Sequence, residues 1–139
     1  MTGSCVCGAV DVSIEIQPTF IHDCNCSLCR KVGAAWGYFA SAEVRTTGDT
    51  SSFVRQDKSG AFAQVHSCIT CAATTHFVLT ETYKSKNPSI DQVGVNMRIF
   101  EPSELEGVEV RFPDGSNWIG EGAYEYRRNP MTISSATPL

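Results

Sequence analysis

The chain has 139 residues, 42% of them hydrophobic and 19% charged, a composition that supports an apolar core and differs from that of a disordered chain. Its 11 basic and 15 acidic residues give a net charge of −4, which argues against binding to nucleic-acid phosphates. The length predicts a single domain, which we place at residues 1–128, followed by a flexible tail at 129–139 that is polar and contains two prolines.

Hydrophobic patterning predicts an all-β fold with very little helix. The first strand is predicted from apolar residues that alternate with polar ones, at Val10, Val12, Ile14 and Ile16. Further β-like runs, separated by turn signals, cover 36–40, 53–55, 62–66, 75–79, 93–99 and 108–112. Two segments favour about one helical turn each, namely 27–32 before Gly33 and 102–105 before Gly107.

The terminus and the hydropathy predict a cytoplasmic protein that does not bind membranes. The N-terminal sequence lacks the basic and apolar regions of a secretory signal. The most apolar stretch, 33–42, is far shorter than the roughly 20 residues of a membrane helix. The seven cysteines are odd in number and the cytosol keeps thiols reduced, so metal or thiol chemistry is favoured over disulfides.

All seven cysteines fall into three short groups, a spacing that favours zinc coordination over scattered core thiols or redox pairs. A structural zinc takes four protein ligands, whereas a catalytic zinc takes three and keeps one position open. The count therefore predicts two zinc ions per chain. We assign a closed, structural cluster to Cys5, Cys7, Cys68 and Cys71, and an open, catalytic cluster to Cys24, Cys26 and Cys29.

Spacing alone also permits a second grouping. Two C-x-x-C pairs would build a ribbon-like zinc site from Cys26, Cys29, Cys68 and Cys71. We rank this grouping second because it leaves three thiols without a metal, namely Cys5, Cys7 and Cys24.

The cysteines and their flanking residues form a specific three-part motif, with GSCVCGAV at 3–10, CNCSLCRKVG at 24–33 and CITC at 68–71. This motif resembles that of the glutathione-dependent formaldehyde-activating enzyme family, which also includes centromere protein V-type domains. The resemblance extends over residues 3–127. One position departs from the pattern: Ala72 follows the last motif cysteine, where the family usually has glycine.

The resemblance implies a tent-like arrangement of antiparallel sheets joined by zinc. It also implies a condensation of glutathione with formaldehyde to S-hydroxymethylglutathione, with structural zinc in the closed cluster and catalytic zinc in the open cluster. We therefore expect a carbon–sulfur lyase-type enzyme with glutathione as co-substrate. Its partners are a small-molecule thiol and an aldehyde, and the oligomeric state is left open.

The charge of the open cluster indicates how it would act. Three thiolates around zinc leave one net negative charge and an open position, at which a thiol would lose its proton and attack an aldehyde to give a hemithioacetal. Arg30 and Lys31 follow the last ligand and are candidate glutathione-binding residues, although an ordinary solvated pair explains them equally well. Two alternative functions are a non-catalytic zinc-binding module and a thiol redox protein.

Other side chains near the motif have two interpretations. His22 and His66 each lie two residues before a motif cysteine, so each either supports a ligand or is an ordinary strand residue. Trp36, Tyr38 and Phe39 follow the open cluster and form either a pocket wall or part of the core.

Overall fold

The computed structural model of the chain describes residues 1–120 and 122–139. Within them, two α-helices of six residues each, α1 (Ser27–Val32) and α2 (Glu81–Lys86), accompany the strands. The strands are β1 (Thr2–Ser4), β2 (Asp11–Ile14), β3 (Phe20–His22), β4 (Trp36–Phe39), β5 (Val44–Thr47), β6 (Thr50–Val54), β7 (Ala63–Cys68), β8 (Thr74–Leu79), β9 (Val93–Asn96), β10 (Glu109–Arg111) and β11 (Met131–Thr132). Single 3-10 turns lie at Ser41–Glu43, Met97–Ile99 and Pro102–Leu105. The predicted all-β class with little helix is confirmed.

The strands form two open sheets. The small sheet has the order β1-β2-β5, and the large sheet has the order β11-β10-β3-β4-β9-β8-β7-β6. Strand pairs are antiparallel, as expected, except that β3 and β10 run parallel. This one parallel pair is possible because the segment from β4 to β9 lies between β3 and β10 and lets the chain return in the same direction.

The main core lies between the two sheets. The alternation predicted for the first strand holds over β2, whose Val12 and Ile14 are buried, whereas Ile16 lies beyond the strand and is 62% exposed. These side chains join a cluster that includes Val95 and Phe112 from the large sheet. Burial of apolar side chains from both sheets holds them against each other.

Two features at the C-terminal side differ from the predictions. The run at 93–99 ends as a strand at Asn96, whose side chain accepts a hydrogen bond from the Arg98 N–H and so begins a 3-10 turn. The segment at 129–139, expected to be a loose tail, contributes β11 to the large sheet. Ile133 lies in the core with 1% of its surface exposed, and burial of this side chain holds the segment in place. In the described part of the chain, no helix has both the length and the apolar character needed to cross a membrane.

Candidate metal centres and cavity

The closed cluster lies where the two sheets meet. Cys5 and Cys7 belong to the loop that joins β1 to β2 in the small sheet, and Cys68 and Cys71 lie at the turn that joins β7 to β8 in the large sheet. The four Sγ atoms lie within 4.8 Å of one another. A metal ion held by them would therefore connect a hairpin of each sheet.

The distances within the closed cluster fit a tetrahedral metal. The Sγ atom of Cys7 lies 3.5 Å from that of Cys5 and 3.7 Å from that of Cys68. Thiolates about 2.3 Å from a tetrahedral zinc lie roughly 4 Å apart, close to these separations. Backbone N–H groups of Val10 and Thr70 donate to the Sγ atoms of Cys5 and Cys68 at 3.2 and 3.3 Å, respectively. Such donors stabilise the thiolate form that binds metal.

The turn that carries Cys71 requires an uncommon backbone conformation at the following residue. Ala72 has a φ of +61°, in the left-handed region that costs a residue with a Cβ roughly 1–2 kcal/mol. Its N–H donates to the carbonyl of Cys68 at 2.9 Å, which closes the turn around the metal ligands. The departure from the family pattern noted above therefore leaves the turn intact.

The open cluster is built on the connection between β3 and β4. Cys24 and Cys26 follow β3, and Cys29 lies within α1. Cys26 is the N-cap of α1, where its Sγ atom accepts from the Cys29 N–H at 3.4 Å. Gly33 ends the helix in the left-handed conformation, with a φ of +65°. The predicted single turn at 27–32, with glycine as its stop, is confirmed.

The three sulfurs of the open cluster converge and lie within 4.8 Å of one another. Among the described residues, no further histidine, cysteine or carboxylate joins this group. The structure thus brings the cysteines together as four and three, and it does not form the alternative grouping of the two C-x-x-C pairs. Each cluster could hold a metal ion.

Protons are shared unevenly within the open cluster. Hydrogen bonds with Cys24 and then Cys29 lower the pKa of the Cys26 thiol, whereas hydrogen bonds with Cys24 and Cys26, together with burial, raise the pKa of Cys29. One thiolate is therefore stabilised at the expense of its neighbours. A divalent cation removes this competition because it stabilises all three negative charges, so the donor set fits a soft divalent metal such as zinc.

Buried partners stabilise charge at Cys29. This residue is 9% exposed, and the indole Nε1–H of Trp36 donates to its Sγ atom at 3.3 Å. The indole packs edge-on against Phe77, with ring centroids 4.9 Å apart. An N–H donor in an apolar setting strengthens the interaction with a thiolate.

A loop that is distant in sequence closes over the open cluster. Asn25 donates to a carboxylate oxygen of Asp114 at 2.7 Å, and its own side-chain oxygen accepts from the Ser116 N–H at 3.0 Å. These bonds place Gly115 so close that a Cβ on it would clash with the Cys24 Sγ atom and lie 3.0 Å from the Cys26 Cβ atom. Glycine is therefore required here to let the backbone pass the sulfurs.

The open cluster faces a cavity of about 700 Å³. All three of its cysteines line this space, together with Trp36 and Tyr38. The sequence left two interpretations of these aromatic residues, and the structure places both in the cavity wall, whereas Phe39 lies in the main core. The cavity falls within the usual range for small-molecule sites.

His22 and Tyr38 form a polar pair in the cavity wall. The His22 Nδ1 atom lies 3.2 Å from the Tyr38 hydroxyl. Burial, with a contribution from Arg111, lowers the pKa of His22 to about 4, so its imidazole is neutral at pH 7. Burial and the thiols nearby raise the pKa of Tyr38, which therefore remains a neutral phenol able to donate a hydrogen bond.

His66 is separate from this cavity. Its Nδ1 atom lies 3.0 Å from the Thr50 hydroxyl, and its ring stacks on that of His76 with centroids 4.5 Å apart. His66 lies in β7, and its side chain contacts the two neighbouring strands, β6 through Thr50 and β8 through His76.

The two basic residues after the last cysteine of the open cluster lie in different places. Arg30 lines a smaller cavity of about 420 Å³ that also includes Asn25, Ser27 and Lys58. Lys31 is exposed and lines neither cavity. The large cavity instead contains Arg55, which donates to Ser27 at 2.9 Å and pairs with Asp57 at 2.6 Å.

Most of the chain matches a known protein family. A family model with the description glutathione-dependent formaldehyde-activating enzyme (GFA) matches residues 1–106, which include all seven cysteines. The chain belongs to the GFA family. Among solved structures, it is similar to the crystal structure of a Rhodobacter sphaeroides protein, with 27% sequence identity and a TM-score of 0.57, covering 78% of this chain and 97% of the other. No curated protein matches the chain significantly.

Several cavity residues could not be found from the GFA motif. Arg55 lies between two motif segments, and Gly115, Trp118 and Tyr124 lie beyond the matched region. Their signals in the sequence are a basic residue at the end of the β-like run 53–55 and a glycine-containing segment with aromatic residues. Neither signal indicates proximity to the cysteines, because the contacts depend on how distant loops meet.

Proposed function

We propose that the protein is a zinc-dependent carbon–sulfur lyase-type enzyme that condenses glutathione, or a similar thiol, with formaldehyde or another small aldehyde. In this proposal the closed cluster holds a structural zinc and the open cluster a catalytic one. The observation that carries it is the convergence of three thiols on the wall of a cavity of about 700 Å³. Membership of the GFA family supplies the reaction class.

A zinc ion in the open cluster would lower the pKa of a thiol bound beside the three cysteines and so supply a thiolate nucleophile. The reaction itself is an addition. A carbon–sulfur bond forms, the π bond of the carbonyl breaks, and the thiol proton ends on the former carbonyl oxygen. No electrons are gained or lost, so no oxidant or reductant is needed.

Three groups of this chain would assist the addition. The Trp36 indole N–H stabilises negative charge on Cys29. The Tyr38 hydroxyl is a neutral donor in the cavity wall, suited to stabilise the developing alkoxide by a hydrogen bond. The loop held by Asn25 limits the approach of water to the cysteines from one side.

Glutathione has two carboxylates, which would bind to basic residues beside the open cluster. Arg30 and Lys58 line the smaller cavity beside the open cluster, and both can bind carboxylates. Lys31 would contribute only long-range attraction, since it lines neither cavity. All seven cysteines are free thiols, and thiolate chemistry of this kind suits a reducing compartment such as the cytoplasm.

The proposal is tested by the rate of glutathione addition to formaldehyde, measured by NMR exchange because the uncatalysed reaction is itself fast. We expect the zinc-loaded parent to exceed the uncatalysed rate. Cys26→Ser should lose this acceleration yet stay folded, since serine is a good N-cap for α1. Tyr38→Phe should retain zinc and glutathione binding but lower the rate. Tyr126→Phe is the matched control, because Tyr126 is 48% exposed and does not line the cavity.

The alternatives predict different results. A parent that holds two zinc ions but never exceeds the uncatalysed rate would overturn the proposal. A single metal per chain, with the open-cluster thiols free to react with an alkylating reagent, would favour a non-catalytic zinc-binding module. Reversible disulfides among these cysteines at cellular redox potentials would favour a thiol redox protein.

A further inference from the structure

Aromatic side chains form part of the lining of the large cavity. Phe62 is 38% exposed, although its ring packs against Phe77 and Tyr83 at centroid distances of 5.6 and 6.0 Å. Trp118 also lines the cavity, and its ring packs against that of Tyr124 with centroids 4.7 Å apart. The exposed ring surface of Phe62 thus borders the same space as the open cluster. Wall surfaces of this type bind apolar or aromatic groups.

The smaller cavity beside it is polar. Its lining consists of Asn25, Ser27, Arg30, Lys58, Gly115 and Ser116. Lys58 and Gly115 line both cavities, so the polar and aromatic spaces adjoin each other at the loop that covers the open cluster. A charged tripeptide such as glutathione finds partners on the polar side, whereas aromatic rings offer none to its carboxylates.

Formaldehyde makes no use of the aromatic space. Its carbonyl carbon bears only hydrogen atoms, so it has no substituent to bury against Phe62 or Trp118. Apolar surface left in contact with water contributes nothing to binding, whereas covering it with an apolar group is favourable. The matched GFA region ends at residue 106, before the segment that supplies Trp118. This part of the wall thus lies outside the region that identifies the family.

We propose that the aldehyde substrate carries an aromatic ring, or an apolar substituent of similar size, which binds against Phe62 and Trp118 with its carbonyl directed toward the open cluster. This inference rests on the proposed function and specifies its substrate class. The thiol binds on the polar side, and its sulfur adds to the carbonyl carbon while its proton passes to the carbonyl oxygen. The product is a hemithioacetal with an apolar substituent.

Binding is tested first, with a probe that cannot react. 2-Phenylethanol has the ring and the oxygen of such a substrate but no carbonyl group, and its binding to the zinc-loaded parent is followed by NMR titration. Phe62→Ala should weaken binding by about tenfold, since it removes a buried ring contact. Phe53→Ala is the matched control, because Phe53 is likewise exposed, at 46%, but does not line the cavity. Trp118→Ala provides a second test at another aromatic residue of the cavity lining.

The rate comparison then uses two aldehydes with glutathione. For each aldehyde, the acceleration is the rate with the protein divided by the uncatalysed rate. We expect this acceleration to be about tenfold larger for phenylacetaldehyde than for formaldehyde, because contacts with one ring contribute an effect of that size. Phe62→Ala should lower the ratio of the two accelerations about tenfold, whereas the control Phe53→Ala, outside the cavity, should leave that ratio unchanged.

The outcomes separate this inference from the function on which it rests. If formaldehyde is accelerated as much as phenylacetaldehyde, or if 2-phenylethanol does not bind, the aromatic substrate class is wrong and the proposed function stands. If neither aldehyde is accelerated, the proposed function fails, and with it the assignment of an aldehyde substrate. Equal loss of 2-phenylethanol binding in Phe62→Ala and Phe53→Ala would also overturn the inference.

Discussion

At Cys26 a single sulfur has two roles. It belongs to the open cluster and caps the N-terminus of α1. The sequence alone predicts that Cys24, Cys26 and Cys29 lie together, because the short segment that contains them keeps their thiols close in space. The pairing of Cys5 and Cys7 with residues some sixty positions later was inferred from ligand counting. Spacing alone did not determine it, because it depends on how the two sheets meet.

Ala72 provides a test of backbone strain beside the closed cluster. Its φ of +61° is costly for alanine and neutral for glycine, although glycine also loses more entropy on folding. We expect Ala72→Gly to raise the free energy of unfolding of the zinc-loaded protein by up to about 1 kcal/mol, measured by urea denaturation.

The control for Ala72 is Ala42→Gly. Ala42 is exposed in a 3-10 turn and has a negative φ, so glycine should stabilise nothing there and should lower stability slightly. Equal effects of the two substitutions would show that strain at Ala72 is not the cause.

His76 predicts a dependence of stability on pH. It is 7% exposed, and burial together with the neighbouring His66 lowers its pKa to about 4. Since the unfolded chain binds this proton more readily, stability is lost as the pH falls from about 6.5 toward 4. Between pH 7 and pH 5, the parent should lose on the order of 2 kcal/mol more than His76→Gln.

The measurement for His76 is urea denaturation at both pH values, with zinc content followed at each. Metal loss in acid affects parent and variant alike, so the difference between them reports the histidine. The difference in the free energy of unfolding between the parent and His76→Gln should be the same at pH 7 and pH 8. A gap that does not change between pH 7 and pH 5 would contradict the assignment of a neutral, buried His76.

At the scale of elements, the strands with clear alternation or apolar runs were predictable, and the others were not. The predicted β2, β4, β7 and β8 all form near their expected positions. The missed strands are short or polar: β3 has three residues, and β5 is largely exposed. Such strands are held by hydrogen bonds to neighbours rather than by their own pattern. The polar helix α2 was missed because it shows no apolar face.

The two clusters should contribute very differently to stability. The closed cluster connects the small and large sheets, and a structural zinc contributes on the order of 10–16 kcal/mol of apparent binding energy, as much as the roughly 5–15 kcal/mol stability of a whole domain. Cys71→Ser should therefore give insoluble or molten protein. Cys26→Ser should retain a cooperative thermal transition, because the open cluster closes only a short loop.

Circular dichroism and thermal unfolding of the two variants test this difference. A cooperative transition of Cys71→Ser within a few degrees of the parent would defeat the structural role of the closed cluster. Unfolding of Cys26→Ser as severe as that of Cys71→Ser would show that the two clusters are not separate in function.

At the scale of the whole molecule, the closed cluster at the junction of the two sheets is separate from the open cluster, which lines the large cavity. The sequence indicated both cysteine groups, because metal ligands must be specific residue types at short spacings. It did not indicate the cavity, whose walls come from the loop with Arg55 and Phe62 and from a segment with Gly115 and Trp118. Contacts between such distant loops depend on the assembled sheets, which no local pattern encodes.

Native mass spectrometry of protein purified without added metal tests the division into four and three most directly. The parent should carry two zinc ions per chain, and Cys26→Ser should carry one while showing the narrow charge distribution of a folded protein. A parent with a single zinc, or a folded Cys26→Ser variant that still holds two, would contradict the assignment of a separate metal to each cluster.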